Sequence, residues 1–256
     1  MLDVLQHNRP LQCYIASNAS DKIAQQVASQ SIIGTMLFGI IIGNMSLSTL
    51  LGVVAMLPSI IFAVFGAKYA GKHGSKKGIV TWSAVCMAVA IIMIVYFVAI
   101  DPTKIASMGP VMIIYVLLTL AFNGAKMCVT TCGTSFMADC IDYELYRSGK
   151  FVPAVVSGTY SLLDKIISSF GALIATAAVA LLGYTTTMPQ PGDPCTTPLF
   201  WMTMFLYFGL PILGWIVSLV AMRYCDLDKA RMVEIQKAIA EKKAAAKAEV
   251  IADKMK

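Results

Sequence analysis

Two stretches hold most of the groups that could do chemistry. Ala138-Asp139-Cys140-Ile141-Asp142-Tyr143-Glu144-Leu145-Tyr146-Arg147-Ser148-Gly149-Lys150 packs acids and bases between two long apolar segments. Ser161-Leu162-Leu163-Asp164-Lys165 then carries an acid–base pair into the next apolar segment. Asp21, Lys22 and Lys126 are further charges inside otherwise apolar sequence. Ionisable groups at membrane depth are costly, and they mark substrate or ion paths. No nucleophile elbow, Ser–His neighbourhood or zinc spacing accompanies them, so no catalytic residue and no enzyme activity are expected. The chemistry on offer is the binding and passage of a polar solute.

Such charges need apolar elements to hold them. The 256 residues are 58% hydrophobic and 13% charged, with a mean hydropathy of +0.74. A soluble domain carries about 25% charged residues. The deficit and the long apolar runs indicate an all-α integral membrane protein. Six spans are expected, at about 10–43, 48–67, 79–100, 109–137, 153–184 and 199–222. A polar lead-in, 1–9, precedes them. A charged tail helix, 224–256, follows, with Asp226 or Asp228 as its cap. Residues 68–78 are expected as a basic loop and 185–198 as a polar, Pro-rich one. Met1 to Leu11 lacks a short apolar core, so no signal peptide is expected.

The net charge of +6 sits in loops and tail rather than in a nucleic-acid-binding pattern, so no nucleic-acid partner is expected. Arg9, Lys68, Lys72, Lys76, Lys77, Arg147 and Lys150 fall on one side of a six-span arrangement, and Lys104 alone on the other. Positive charge marks the cytoplasmic side, so both termini are expected there, in a multi-pass protein of the plasma membrane.

Polarity is uneven among the spans. Ser17, Asp21, Gln25 and Ser29 recur every four residues, which places them on one helical stripe. Asn123, Lys126, Thr130 and Thr134 form a second stripe; Ser161, Lys165, Ser168 and Ser169 form a third, with Asp164 alongside. Spans three and six have no formal charge and can face lipid, whereas striped spans need an interior or a wet cavity. The pattern suggests a three-plus-three inverted repeat. Neighbouring residues point about 100° apart on a helix. Asp21 or Asp164 is therefore expected to pair with Lys126 or Lys165 across helices.

Structural readings stand beside these. Lys22 could snorkel to headgroups, and Lys126 fits either a helix–helix hydrogen bond or a substrate contact. Gly34, Gly39, Gly43 and Gly171 read as close-packing residues. The tail helix could be solvated or lie on a membrane surface. The seven cysteines are poorly placed for disulfides. Cys128 and Cys132 share a face without further ligands, so no metal site is expected.

Ala138-Asp139-x-x-Asp142-Tyr143, Tyr146-Arg147-x-Gly149-Lys150, Lys165 and Leu182-Gly183-Tyr184, in that order, resemble motifs of the glycoside–pentoside–hexuronide:cation symporters, the melibiose-carrier-like branch of the major facilitator superfamily. Asn8-Arg9-Pro10-Leu11 resembles the start of that family's seventh helix, and Gly66 to Lys77 its basic loop between helices eight and nine. The resemblance covers the C-terminal half of a twelve-helix carrier. It implies alternating-access symport of a sugar, glycoside or hexuronide with Na⁺ or H⁺, and no cofactor beyond that coupling ion.

By the same resemblance, Lys165 matches a lysine near sugar and cation. Asp139, Asp142, Tyr143, Arg147 and Lys150 match a charged cluster that closes the cytoplasmic gate. Asp21, Lys22, Gln25, Asn123, Lys126, Thr130, Ser161, Asp164, Lys165 and Ser168 are the expected path residues. Phe151, Pro153 and Thr130 depart from the family pattern, where Arg, an acid and an aromatic are usual. The expected partners are membrane lipid, the sugar, and an N-terminal six-helix half or a second copy. The alternative is a half-carrier or fragment that does not transport alone.

Overall fold

The computed structural model describes residues 2–184 and 187–254, with side chains at 1–3, 56–57 and 245–256 left aside. The described residues are helices and their connections. They run α1 (Leu2–His7), α2 (Arg9–Ala28), α3 (Ser31–Gly34) with a π-helical continuation (Thr35–Ile41), α4 (Ser46–His73) and α5 (Ser75–Ala99). A 3₁₀ turn (Pro102–Ala106) leads to α6 (Pro110–Ser148) and α7 (Pro153–Leu181). Then come α8 (Thr197–Met204), a π-helical stretch (Phe205–Gly209), α9 (Leu210–Arg223) and α10 (Lys229–Lys254).

Among the described residues, α5, α6, α7 and the run Thr197–Arg223 are long and apolar enough to cross a membrane. A fifth candidate is the bent pair Ser31–Ile41 and Ser46–Ala55, which turns through 116°. The expected first span, 10–43, is two pieces: Gln30 adopts an extended conformation, ψ 133°, and ends the polar helix α2 before the apolar α3 begins. The polar and apolar halves seen in the sequence are thus separate helices.

Other boundaries differ as well. The lead-in is largely the helix α1. The expected basic loop, 68–78, is helical on both sides of a single break at Gly74. Its φ of +92° is a conformation that favours glycine. The acidic stretch after 137, which the expected spans leave between 137 and 153, is mostly helix as well. It forms the last turns of α6, supported by the i,i+3 pair Glu144–Arg147 and closed by Gly149 at φ +70°. Residues 185–186 of the expected polar loop, and Met1 and the last two residues of the tail, lie outside the described residues. Within the 3₁₀ connection, hydrogen bonds from Thr103 hold the exposed Asp101 carboxyl below its usual range.

Packing follows a crossed scheme. The polar α2 lies against α7 and α9, while α6 lies against α4 and α5; α5 and α9 join the two groups. Small residues permit the closest approaches. A Cβ on Gly171 of α7 would stand 2.4 Å from Gln26 Cβ of α2, and one on Gly66 of α4 would stand 2.9 Å from Cys128 Cα of α6. Cys128 and Cys132 turn their thiols to the carbonyls of Phe62 and Gly66, so they fill the α4–α6 contact. By contrast, a Cβ on Gly34 would meet open space, and Gly43 serves a turn at φ +80°.

An aromatic chain fills the core. Phe97 meets Tyr115 and Phe208 at 5.7 and 6.0 Å, and Phe122 meets Phe208 and Trp215 at 5.8 and 5.9 Å. In lipid such packing has to hold helices together without a hydrophobic driving force. Val95, Ile113, Leu117, Leu173 and Val220 stay on the outside, as expected of a surface in contact with lipid.

A second cluster caps one end. Tyr14, Phe136, Cys140 and Val156 meet Met232, Ile235 and Ile239 of α10. Spacing of three and four puts these α10 residues on one stripe. The start of the tail is therefore docked rather than solvated. Asp228 caps α10, its Oδ1 accepting from the Arg231 N–H at 2.9 Å. Lys229 reaches back to the Lys72 carbonyl at the end of α4, 2.6 Å away.

Candidate functional site

Two polar grooves meet around α2 and α6. The first is a cavity of about 300 Å³ lined by Ser17, Asp21, Lys22 and Gln25 of α2 and by Thr130 and Thr134 of α6. Two of the sequence stripes thus face each other across it. The second, about 530 Å³, is lined by Ser48 and Ser59 of α4, by Asn123 and Lys126 of α6, and again by Gln25 and Thr130. The shared side chains make the two grooves neighbours. A smaller cavity of about 180 Å³ continues past Lys126 to Tyr115 and Tyr207.

Asp21 is the buried acid of this region, 7% exposed. Gln25, one turn on, donates its amide to Asp21 Oδ2 at 2.7 Å. Lys126 and Lys22 are the cations whose fields reach it, with the Trp215 indole close by. Lys126 also lies over the Phe122 ring at 5.2 Å from its centre. Among the described residues, no ion pair joins Asp21 or Asp164 to Lys126 or Lys165. The expected cross-helix pairing is therefore absent. Asp21 is held by amide and indole groups rather than by an ion pair, so the cation opposite stays available to a polar solute.

The third stripe behaves differently. Ser161 and Lys165 are exposed on α7, and Ser168 is half-buried, its hydroxyl bonded to the Lys165 carbonyl. None of the three lines the cavities described above. Asp164 is half-buried with Oδ1 enclosed and without a hydrogen-bond partner. Its charge acts on Tyr14 and Tyr160, whose rings stack at 5.2 Å. What α7 gives to the first groove is Ser157 and Tyr160. Asn18 donates to the Tyr160 hydroxyl.

Sequence reasoning missed this aromatic wall. Tyr14, Tyr160 and Trp215 line the first groove, yet in the sequence they read as apolar packing. It also placed span six outside. Instead α9 sends Trp215 and Ser218 into the groove, and Ser218 hydrogen-bonds Ser17 of α2. The signal was an uncharged one: a Trp and a Ser three residues apart on one helical face.

The expected gate residues gather at the α10 end, with different partners. Asp139 is half-buried beside Ser75 in a crevice that Asp228 and Lys229 of α10 also line. Asp142 is half-buried, Tyr143 packs on the end cluster, and Lys150 is exposed past Gly149. Arg147 binds Glu144 at 2.8 Å. Glu144 itself, 2% exposed, is the fully enclosed acid. Asn8 donates to its Oε2 at 3.0 Å and to the Cys140 carbonyl at 3.3 Å, and Asn8 Oδ1 caps α2 by accepting from the Leu11 N–H. This knot ties the start of α2 to the end of α6.

The arrangement offers hydroxyl, amide and carboxylate groups, two lysines and flat aromatic faces, where the polar α2 packs among apolar helices. It can bind a polar, hydroxylated solute. Comparison with curated proteins gave no match. Residues 30–229 match the family described as MFS/sugar transport protein. With the match running over most of its length, from α3 to the start of α10, the chain belongs to the MFS/sugar transport protein family.

Proposed function

We propose that the chain forms the C-terminal six-helix half of a cation-coupled sugar carrier of the plasma membrane, with both termini in the cytoplasm. The substrate is a sugar, glycoside or hexuronide, and Na⁺ or H⁺ drives its uptake. The observation that supports this most is the pair of adjoining grooves around Asp21, Gln25, Lys126 and Thr130, between the polar α2 and the apolar helices packed around it. Asp21 and Lys126 would meet sugar hydroxyls or a sugar carboxylate. The Tyr14–Tyr160 pair and Trp215 offer ring faces of the kind on which sugars stack. The crossed packing, α2 with α7 and α9 and α6 with α4 and α5, is what an inverted three-plus-three repeat produces when each repeat lends its first helix to the other.

Alternating access would rock this half against a second six-helix unit. A second reading follows from α7. Its Ser161, Leu162, Lys165, Ile166 and Phe170 are exposed as one mixed face, suited to a wall that another six-helix unit completes. The chain would then be unable to transport alone. Uptake of a labelled α-galactoside into vesicles decides between the readings, with the chain alone and with a matching N-terminal half, each with and without a Na⁺ or pH gradient. Gradient-driven uptake only with the second half supports the half-carrier. Failure of a panel of neutral and anionic sugars in both preparations would reject sugar symport.

A further inference from the structure

At the α10 end, a cleft of about 330 Å³ is lined by Leu145 of α6, Gly149 and Phe151 of the connection to α7, and Ile239, Lys242 and Lys243 of α10. Its walls are apolar and its edge is basic. Phe151 is 67% exposed, a large apolar side chain in a short connection between two helices that can each cross a membrane. Lys150 is exposed beside it. Lys242 lies over the Tyr146 ring at 5.8 Å, which anchors this turn of α10 against α6. Glu241 is the nearest acid on α10 and points about 100° away from Lys242.

We propose that this cleft seats one anionic phospholipid. Its phosphate would lie at Lys242 and Lys243, with Lys150 nearby, and the upper part of an acyl chain would lie along Leu145, Phe151 and Ile239. Three features select that occupant. The cleft lies where α6 ends and α7 begins, beside the ends of two candidate spans. An inorganic phosphate would have no use for the apolar walls. A zwitterionic lipid would gain little from a cluster of lysines, whereas anionic headgroups are drawn to juxtamembrane Lys and Arg. The lipid would also touch both α6 and α10, fastening the tail helix to the bundle. This inference needs only that the chain lies in a membrane, and it is independent of what the grooves transport.

Native mass spectrometry of the full chain, titrated with phosphatidylglycerol or phosphatidylcholine, tests it. One phosphatidylglycerol should bind at concentrations where phosphatidylcholine does not, and millimolar inorganic phosphate should not displace it. Replacing both lysines (Lys242→Gln with Lys243→Gln) should weaken this binding about thirtyfold, from roughly fivefold per lysine. Phe151→Ser, which leaves the lysines and α10 untouched, should weaken it several-fold. Lys237→Gln, elsewhere on α10, should leave it unchanged. Equal binding of the two lipids would overturn the site. So would retained affinity in the lysine or Phe151 variant, or an equal loss in Lys237→Gln, which would reduce the effect to diffuse charge.

Discussion

Two buried acids, Asp21 and Glu144, occupy the same molecule under opposite conditions. Glu144 has the Arg147 guanidinium across both oxygens, and the Asn8 amide also donates to Oε2. Asp21 has an amide from its own helix, a cavity in front of it and two lysines acting through space. A carboxylate enclosed and fully partnered holds structure together. A carboxylate enclosed beside a polar void is held ready for something else. Each acid has a partner one turn along its own helix, Arg147 for Glu144 and Gln25 for Asp21; the difference is that Glu144 is closed off by Asn8, the cap of α2, whereas Asp21 faces a cavity.

The largest expected effect breaks the knot. Glu144→Ala removes the acid that Arg147 and Asn8 share. Arg147 is partly exposed, so the cost falls mainly on the enclosed Asn8 and the emptied site, about 3 kcal/mol. A marked fall in the thermal midpoint in detergent should follow, with Glu144→Gln intermediate. Asp21→Asn should behave in the opposite sense: little change in midpoint, but loss of gradient-driven uptake when the second half is present. If Asp21→Asn destabilises as much as Glu144→Ala, the contrast between the two acids is lost.

How much of this was legible in the sequence follows from the range of the interactions. The stripes on α2 and α6 were readable because a helix places residues four apart on one face, whatever surrounds it. Their convergence on one groove is a long-range fact, but the cost of burying charge in lipid made it the economical arrangement. Glu144 was one acid among several in a charged stretch. Its burial depends on Asn8, 136 residues away, and no local spacing encodes that. The aromatic wall was invisible for another reason. Tyr14, Tyr160 and Trp215 match apolar packing by type, and only their position beside Asp21 and Asn18 gives them a polar role. The break at Gln30 was hidden because a helix-compatible residue adopts an extended conformation there.

The α2–α7 contact offers the next test. Both the groove and the Tyr14–Tyr160 stack depend on α7 lying close to α2, and Gly171 is the point of closest approach. Gly171→Val would drive its side chain into Gln26 and the backbone before Val27. Overpacking of this kind costs about 1–3 kcal/mol. Uptake with the second half should fall along with stability, whereas Gly34→Ala, in open space, should change neither. Unchanged behaviour of Gly171→Val would mean that α7 does not form that wall of the groove.

A smaller effect sharpens the account of Asp21. If Lys126 interacts with it only through space, a double-mutant cycle of Asp21→Asn and Lys126→Gln should give a coupling of about 0.5–1 kcal/mol in unfolding, near the lower end for neighbouring groups. Lys165→Gln with Asp21→Asn should be additive, because Lys165 is exposed on α7 away from the cavities. Strong coupling of Lys165 to Asp21 would show that the lysine swings into the groove.

The smallest effect concerns the end that Glu144 organises. Asp228 caps α10, and α10 closes the cluster over the end of α6. Asp228→Ala removes a helix cap worth about 1 kcal/mol. The cost should appear locally, because Met232, Ile235 and Ile239 still have their apolar seats. Hydrogen exchange should therefore speed up in the first turn of α10 by about fivefold, the Boltzmann factor of 1 kcal/mol, while amides around Glu144 stay protected. If protection is lost at both places together, α10 and the Asn8–Glu144–Arg147 knot open as one cooperative unit, and the tail helix belongs to the clamp that joins α2 to α6.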